Sequence, residues 1–402
     1  MSAILIYVFP VVMDMVLAGV MFMATVWAAQ QGASASAVSN LITAWAAVYM
    51  VCALAIGRVV TRRNAPWLLV GACLATAGLS VGFMVARSLA TMYVLMALEG
   101  AAMAVFFAPF QVFMKLVGEH KKRRITESVG LYTFSWSSGY ALGPLIAGIL
   151  WVLLGWAGCH AINALAAFLV AIGILVMHIR IGRLRAAAAS SDSNGVPDIQ
   201  VCEYAARPDL AWMAWLFGGI GCIATVIVRG IFPTSGAACD IPKSVQGEIL
   251  AVFSGVQAVV GLLHSRGRRW MYRPWPILGF GLFGVAALIL FAISRTPAGF
   301  MLGAACFGVY SGTFFFYFVF HSLVHPEHAG RYISINEAVV GLTGIIGPVL
   351  GGLLADTFSL STPYLIAGGM VFVGICVQAS IHARLERRAA ESLPAEAVVP
   401  AA

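Results

Sequence analysis

The chain has 402 residues, of which 61% are hydrophobic and only 10% charged, with a formal net charge of +8. Soluble domains carry about 25% charged residues, so the composition excludes a water-soluble globular protein and makes the bilayer the main solvent. The excess positive charge falls in short loops between apolar runs rather than along a stripe, which argues against nucleic acid as a partner.

Twelve apolar runs long enough to cross a bilayer follow one another. The first, roughly residues 3–28, lacks a basic n-region and is too long for a signal peptide, so it reads as a span. Asp14 sits inside it. A carboxylate at bilayer depth costs about 2.5–3.5 kcal/mol on insertion scales and is seldom left without a partner or a task. Its face continues through Ala18, Met21 and Thr25. The second run, roughly 36–57, is followed by Arg58, Arg62 and Arg63, and the third is roughly 66–86. The fourth, roughly 89–116, carries a second acid, Glu99, and then Phe106, Phe110, Gln111 and Phe113. Lys115 lies about 24 Å beyond Glu99 and should reach the bilayer edge.

The fifth run, roughly 126–154, contains Gly139-x-x-x-Gly143-Pro144, and the sixth is roughly 158–181. A polar segment from Gly182 to Pro208 reads as a flexible linker. The seventh run, roughly 209–230, ends beside Arg229, where snorkelling to water explains the charge. Gln246, Glu248 and Gln257 interrupt the eighth, roughly 245–264; the ninth is roughly 275–294. The tenth, roughly 298–324, holds Tyr310, the aromatic row from Phe314 to Phe318 and His321, a histidine most simply interfacial. The eleventh, roughly 332–355, holds Asn336, Glu337, Gly347 and Pro348, and the twelfth is roughly 361–383. The tail after Arg388 reads as disordered.

Basic residues alternate strictly with the spans. One set of loops holds Arg58, Arg62, Arg63, Lys121, Arg124, Arg183, Arg266, Arg273, Arg331 and Arg387; the opposite loops hold only Arg87, Arg229, Lys243 and Arg295. The bias puts both termini in the cytoplasm, in a plasma or bacterial inner membrane. The eight cysteines show no zinc spacing, and a disulfide between Cys159 and Cys239 would need both at the outer face.

The halves echo each other. Gly139-x-x-x-Gly143-Pro144 in the fifth run matches Gly344-x-x-Gly347-Pro348 in the eleventh; Pro66-Trp67 after the second matches Pro274-Trp275 after the eighth. With its six-plus-six spans, basic central loop and G-x-x-x-G-P element, the chain resembles the major facilitator superfamily over nearly its whole length. The resemblance implies an all-α membrane protein of twelve helices in two six-helix bundles, 1–181 and 209–388, joined by a linker, 182–208, with a tail, 389–402. Small residues at 139 and 143 let helices approach closely, and Pro144 bends one of them. The family's loop motif after the second span is incomplete: Gly57 stands where an acid belongs, although Arg58, Arg62 and Arg63 remain.

Since spans 1, 4, 7 and 10 line the central cavity in that family, the resemblance places Asp14, Met21, Glu99, Phe106, Phe110, Gln111, Tyr310 and Phe314 at or near it. Asn336 and Glu337 would line an inner vestibule or pair with loop arginines. Two acids with no cation at their depth in the first half are candidate proton carriers, or a site for a cationic group. An aromatic wall suits an amphipathic solute. The expected function is secondary transport of a small molecule by a monomer, coupled to protons, with export of an amphipathic or cationic compound leading and uptake of a metabolite second. A non-transporting sensor or assembly protein of the same fold is the rival, favoured by the incomplete loop motif. No G-x-S-x-G, H-E-x-x-H or P-loop pattern occurs, so no enzyme, metal or cofactor is expected.

Overall fold

The computed structural model describes residues 5–61, 63–118, 125–188, 209–267, 270–324 and 329–391. Arg62, Lys121 to Arg124, the part of the linker from 189 to 208, Arg268, Arg269 and the tail beyond 391 lie outside the described residues. A 3-10 turn, Leu5–Tyr7, leads into α1 (Val8–Gln30), α2 (Ala35–Val59), α3 (Ala65–Val85) and α4 (Leu89–Gly118). Ser34 opens α2 by accepting a hydrogen bond from the Ala37 amide at 3.2 Å, which satisfies one of the free N–H groups of the first turn.

A helical run, Ile125–Ala188, follows. Its apolar stretch covers 52 residues, about 78 Å if straight and more than twice the hydrocarbon thickness. The chain resolves this at Gly155, whose φ of 70° and ψ of −176° are not helical. That region belongs to glycine, because a Cβ there meets the backbone. The run is therefore two spans, α5 (125–154) and α6 (156–188). Gly155→Ala is expected to cost about 1–3 kcal/mol, seen as a lower unfolding midpoint in detergent; an unchanged midpoint would show that the break tolerates a side chain.

The second half comprises α7 (Ala211–Ala238), α8 (Lys243–His264), α9 (Pro274–Ile293), α10 (Pro297–Leu323), α11 (Ala329–Thr357) and α12 (Thr362–Glu391). Three boundaries differ from the sequence reading. Helix α6 continues to Ala188, absorbing 182–188 of the expected linker, because Arg and Ala are strong helix formers. Helix α12 likewise reaches Glu391, past the expected start of the tail. Helix α7 passes through Pro233 to Ala238, eight residues beyond the expected end at 230.

The odd-to-even connections, Gly155 among them, lie at one end of the molecule, called here the Gly155 end. The chain termini mark the other. Within the first half α1 lies across α5 and α2 against α4; within the second, α7 packs on α11 and α8 on α10. The halves meet through α2 with α11 and α5 with α8. One apolar core, with Leu17, Met96, Phe106, Phe110 and Ile174, belongs to the first half. A second joins Phe22, Val26, Ala147 and Trp151 of the first half to Ile227, Ile231 and Leu250 of the second. It seals the interface toward the Gly155 end. There the Asp356 carboxylate accepts from the Ala35 and Ser36 amides at 2.9 and 3.1 Å, and Ser39 donates to the Pro348 carbonyl at 2.8 Å. Lys243 adds a cation–π contact over Trp151 at 4.2 Å. Large apolar side chains such as Leu153, Leu353 and Val373 point outward, as in an integral, multi-pass membrane protein. Cys159 and Cys239 are both free thiols, so the disulfide weighed from sequence is not formed.

Candidate functional site

A cavity of about 230 Å³ lies between the halves. Helices α1, α2, α4, α5, α7, α8, α10 and α11 line it; among the described residues, α3, α6, α9 and α12 supply none. It extends from Thr25, Arg229 and Leu250, just below the apolar seal, toward Tyr132, Asn336 and Glu337 near the starts of α5 and α11. The wall is largely apolar and aromatic, with Trp45, Phe107, Trp136, Phe315 and Phe318.

Close packing of α5 on α1 sets the position of Asp14. A Cβ on Gly139 would sit 2.6 Å from the Asp14 Cβ, and one on Gly143 would sit 2.5 Å from the Met15 carbonyl oxygen and 2.8 Å from the Gly19 amide nitrogen. Only missing side chains allow this approach. Asp14 itself is 2% exposed, and its Oδ2 has no hydrogen-bond partner among the described residues. Ala18, Met21 and Thr25 follow it along the cavity, the stripe expected from helical spacing.

The largest departure from the sequence reading is Arg229. Because α7 continues to Ala238, this arginine lies about 14 Å inside the helix rather than at its end, too deep to snorkel to the Gly155 surface. It lines the cavity and is an electrostatic partner of Asp14 and of Tyr140. Its guanidinium carbon lies 4.1 Å from the Tyr140 ring centroid and 5.0 Å from that of Phe253, and its Nη2 donates to Ser254 Oγ at 3.2 Å. The acid of the first half thus faces a cation from the second, which reading either half alone would miss.

Glu99 is buried too, at 1% exposed, but it lies beside Thr76 on α3 and not at the cavity. Phe106 and Phe110 belong to the first-half core, where their rings stack at 5.7 Å; their neighbour Phe107 faces the cavity. Tyr310 and Phe314 likewise pack in the second-half core, while Phe315 and Phe318 face the cavity. In both helices the cavity face is one residue, about 100°, from the chosen stripe. A continuous aromatic row gives periodicity nothing to choose by. The side chain of Gln111 lies outside the described residues.

Asn336 and Glu337 do line the cavity. The Asn336 amide oxygen accepts from Trp215 Nε1 at 2.8 Å and Ser322 Oγ at 2.7 Å, tying α7, α10 and α11 together. Glu337 accepts from the Tyr49 hydroxyl at 2.8 Å, a bond between the halves. Pro144 lines the cavity beside Gly143. Gly347 meets Val226 and Ile223 of α7 as Gly143 meets α1, so the repeated elements occupy equivalent crossings, with Pro348 one residue on. Arg58 and Arg63 are exposed at the terminal end, away from the cavity. His321 is fully buried against Tyr317, with ring centroids 4.3 Å apart, rather than interfacial.

The family model described as the Major Facilitator Superfamily matches residues 4–315 and 214–399. Among solved structures, a mutant form of the nucleoside transporter NupG superposes with a TM-score of 0.63, covering 95% of this chain and 100% of that one at 13% identity. At that identity the likeness is one of fold. A search of curated proteins returned no match. Two six-helix halves around a shared cavity, and a family match across nearly the whole length, place the chain in the Major Facilitator Superfamily.

Proposed function

We propose that this chain is a proton-coupled secondary transporter of a small amphipathic molecule, in which Asp14 carries the coupling proton. The observation that carries the reading is the position of Asp14: a buried carboxyl with an unpartnered oxygen, in a cavity built by both halves. Rocking of one half against the other changes what such a site faces, and loss or gain of one charge biases which arrangement is preferred. The aromatic wall supplies contact area for an amphipathic solute. A cationic cargo is disfavoured at this pole, because Arg229 already faces Asp14. Exposed Arg58, Arg63, Arg266 and Arg387 at the terminal end support cytoplasmic termini. Each copy of the chain contributes both halves of the cavity, which supports function as a monomer.

The test is proton movement in liposomes that hold the purified chain and an internal pH dye. Pools of organic acids, amines, sugars, amino acids and nucleosides are added outside. The expected result is a dye response to at least one pool, reduced at least about tenfold in Asp14→Asn, as for loss of a general proton carrier. The sign of the response separates co-transport from exchange. Solute flux without any proton signal, or an Asp14→Asn variant with unchanged coupling, would overturn the role of Asp14.

A further inference from the structure

The electrostatics of the cavity are carried by few groups. Among the described residues that line it, Arg229 is the one fixed cation, and Asp14 and Glu337 are the two acids. Glu337 is bonded to Tyr49. A guanidinium offers five N–H donors in a planar fork that matches a carboxylate. Ser254 and Tyr140 are the polar side chains that engage Arg229 among the described residues. Half-buried, it presents its remaining donors to the cavity. Its fork is framed by the rings of Tyr140 and Phe253, with Trp136 and Phe315 further along the wall. Asp14 comes within electrostatic reach of Arg229 without forming a direct bidentate pair, and its Oδ2 is unpartnered.

We infer that the cargo is a small organic monoanion, an aromatic or branched carboxylate, whose carboxylate docks on Arg229 and competes there with Asp14. This rests on the transport reading and names the substrate class for the same cavity. When Asp14 is ionised, the field of Arg229 is shared with it, and an incoming carboxylate meets a like charge. When Asp14 takes up a proton, Arg229 serves the ligand alone. Anion binding and Asp14 protonation therefore favour one another, and by linkage the coupling is reciprocal. One anion and one proton bound together add no net charge, so closing the site off from water as the halves rock buries no extra charge. The charged or titratable groups facing Asp14 are Arg229 from α7 and Tyr140 from α5. Glu99 faces α3 and takes no part.

Benzoate, phenylacetate, benzylamine and benzyl alcohol, of similar size and different charge, are the probes. Their binding to the detergent-purified full chain is read by quenching of tryptophan fluorescence, since Trp45 and Trp136 line the cavity. The range is pH 5.5 to 8, where the acids stay largely ionised. The expected result is binding of the acids in preference to the amine and alcohol, weakening by about tenfold as pH rises, a usual size for coupling between sites. Asp14→Asn should hold the acids as tightly as the parent does at low pH, with no pH dependence. Arg229→Gln should lose acid binding. The neutral pair Asp14→Asn/Arg229→Gln, which leaves no unbalanced charge, should lose it as well and covers the case in which Arg229→Gln alone does not fold. Preference for the amine or alcohol, silence toward both acids in folded protein, or pH dependence retained in Asp14→Asn would overturn the inference. Acid binding without flux in liposomes would leave the anion site standing and sink the transport reading. Flux of neutral or cationic solutes without acid binding would do the reverse.

Discussion

Gly143→Val is expected to leave almost no folded protein in the membrane, measured as the monodisperse fraction recovered in mild detergent. A Cβ at 143 would press on backbone: the Met15 carbonyl oxygen at 2.5 Å and the Gly19 amide nitrogen at 2.8 Å, with the Ala18 Cβ at 2.9 Å. Backbone atoms inside a helix cannot rotate away as the end of a flexible side chain can. Adding even a methylene to a well-packed core costs about 1–3 kcal/mol, and two γ-methyls against a helix axis cost more. Helices α1 and α5 belong to the same half, so no working conformation separates them. Gly78 on α3 is the control, since a Cβ there meets nothing within 4 Å. Gly78→Ala should be neutral or stabilise by up to about 1 kcal/mol through helix propensity. Equal recovery of both variants would show that the α1–α5 crossing is not tight.

Gly352→Leu is expected to act differently despite a similar clash. Its Cβ would sit 2.6 Å from the Ser36 Cα and 2.5 Å from Ser39 Oγ, at the Gly155 end where α11 of one half meets α2 of the other. That contact lies between the halves, and under the transport cycle proposed above it must break once per cycle. The protein should therefore fold and place the strain in one conformation. A cost of about 1–3 kcal/mol shifts a two-state population by about 5- to 150-fold toward the arrangement with the Gly155 end parted. With the eight native cysteines replaced by serine or alanine, spin labels at Gln31→Cys and Phe358→Cys would report it as a longer distance in the variant. An unchanged distance in folded protein would mean that this face does not part. Transport should fall in both variants, but Gly143→Val loses it with the fold and Gly352→Leu loses it with the fold intact.

The span count was legible because hydropathy and loop charge are independent signals, and both alternate along the whole chain. The α1 stripe was legible because Asp14 and Thr25 stand out against an apolar background, and helical spacing places Ala18 and Met21 on the face between them. The aromatic helices offered no such contrast. A row from Phe314 to Phe318 covers every direction around α10, and the faces chosen there and on α4 were one residue off. Arg229 was misplaced because the seventh run was ended at about 230, whereas α7 continues through Pro233 to Ala238. Proline inside a membrane helix need not end it where neighbours satisfy the freed carbonyls. The pairing of Asp14 with Arg229 crosses the repeat, and neither half on its own contains it. Glu99 shows the converse: depth in the bilayer was readable, but the direction of the side chain depended on how α4 packs against α3.

The break at Gly155 bears on how the chain is made. Most neighbouring spans here are separated by polar residues that can be held at the membrane surface while the next span emerges from the ribosome. Helices α5 and α6 have one glycine, flanked by the exposed side chains of Leu153 and Leu154 and by Trp156. A translocation channel meeting this 52-residue segment, in which polar side chains occur only singly or in short groups, finds no hydrophilic loop at which to stop one span and start another. The two should therefore enter the lipid as a preformed hairpin. The glycine then decides, during synthesis, whether this segment makes two crossings or one over-long helix, and every later span inherits its orientation from that choice.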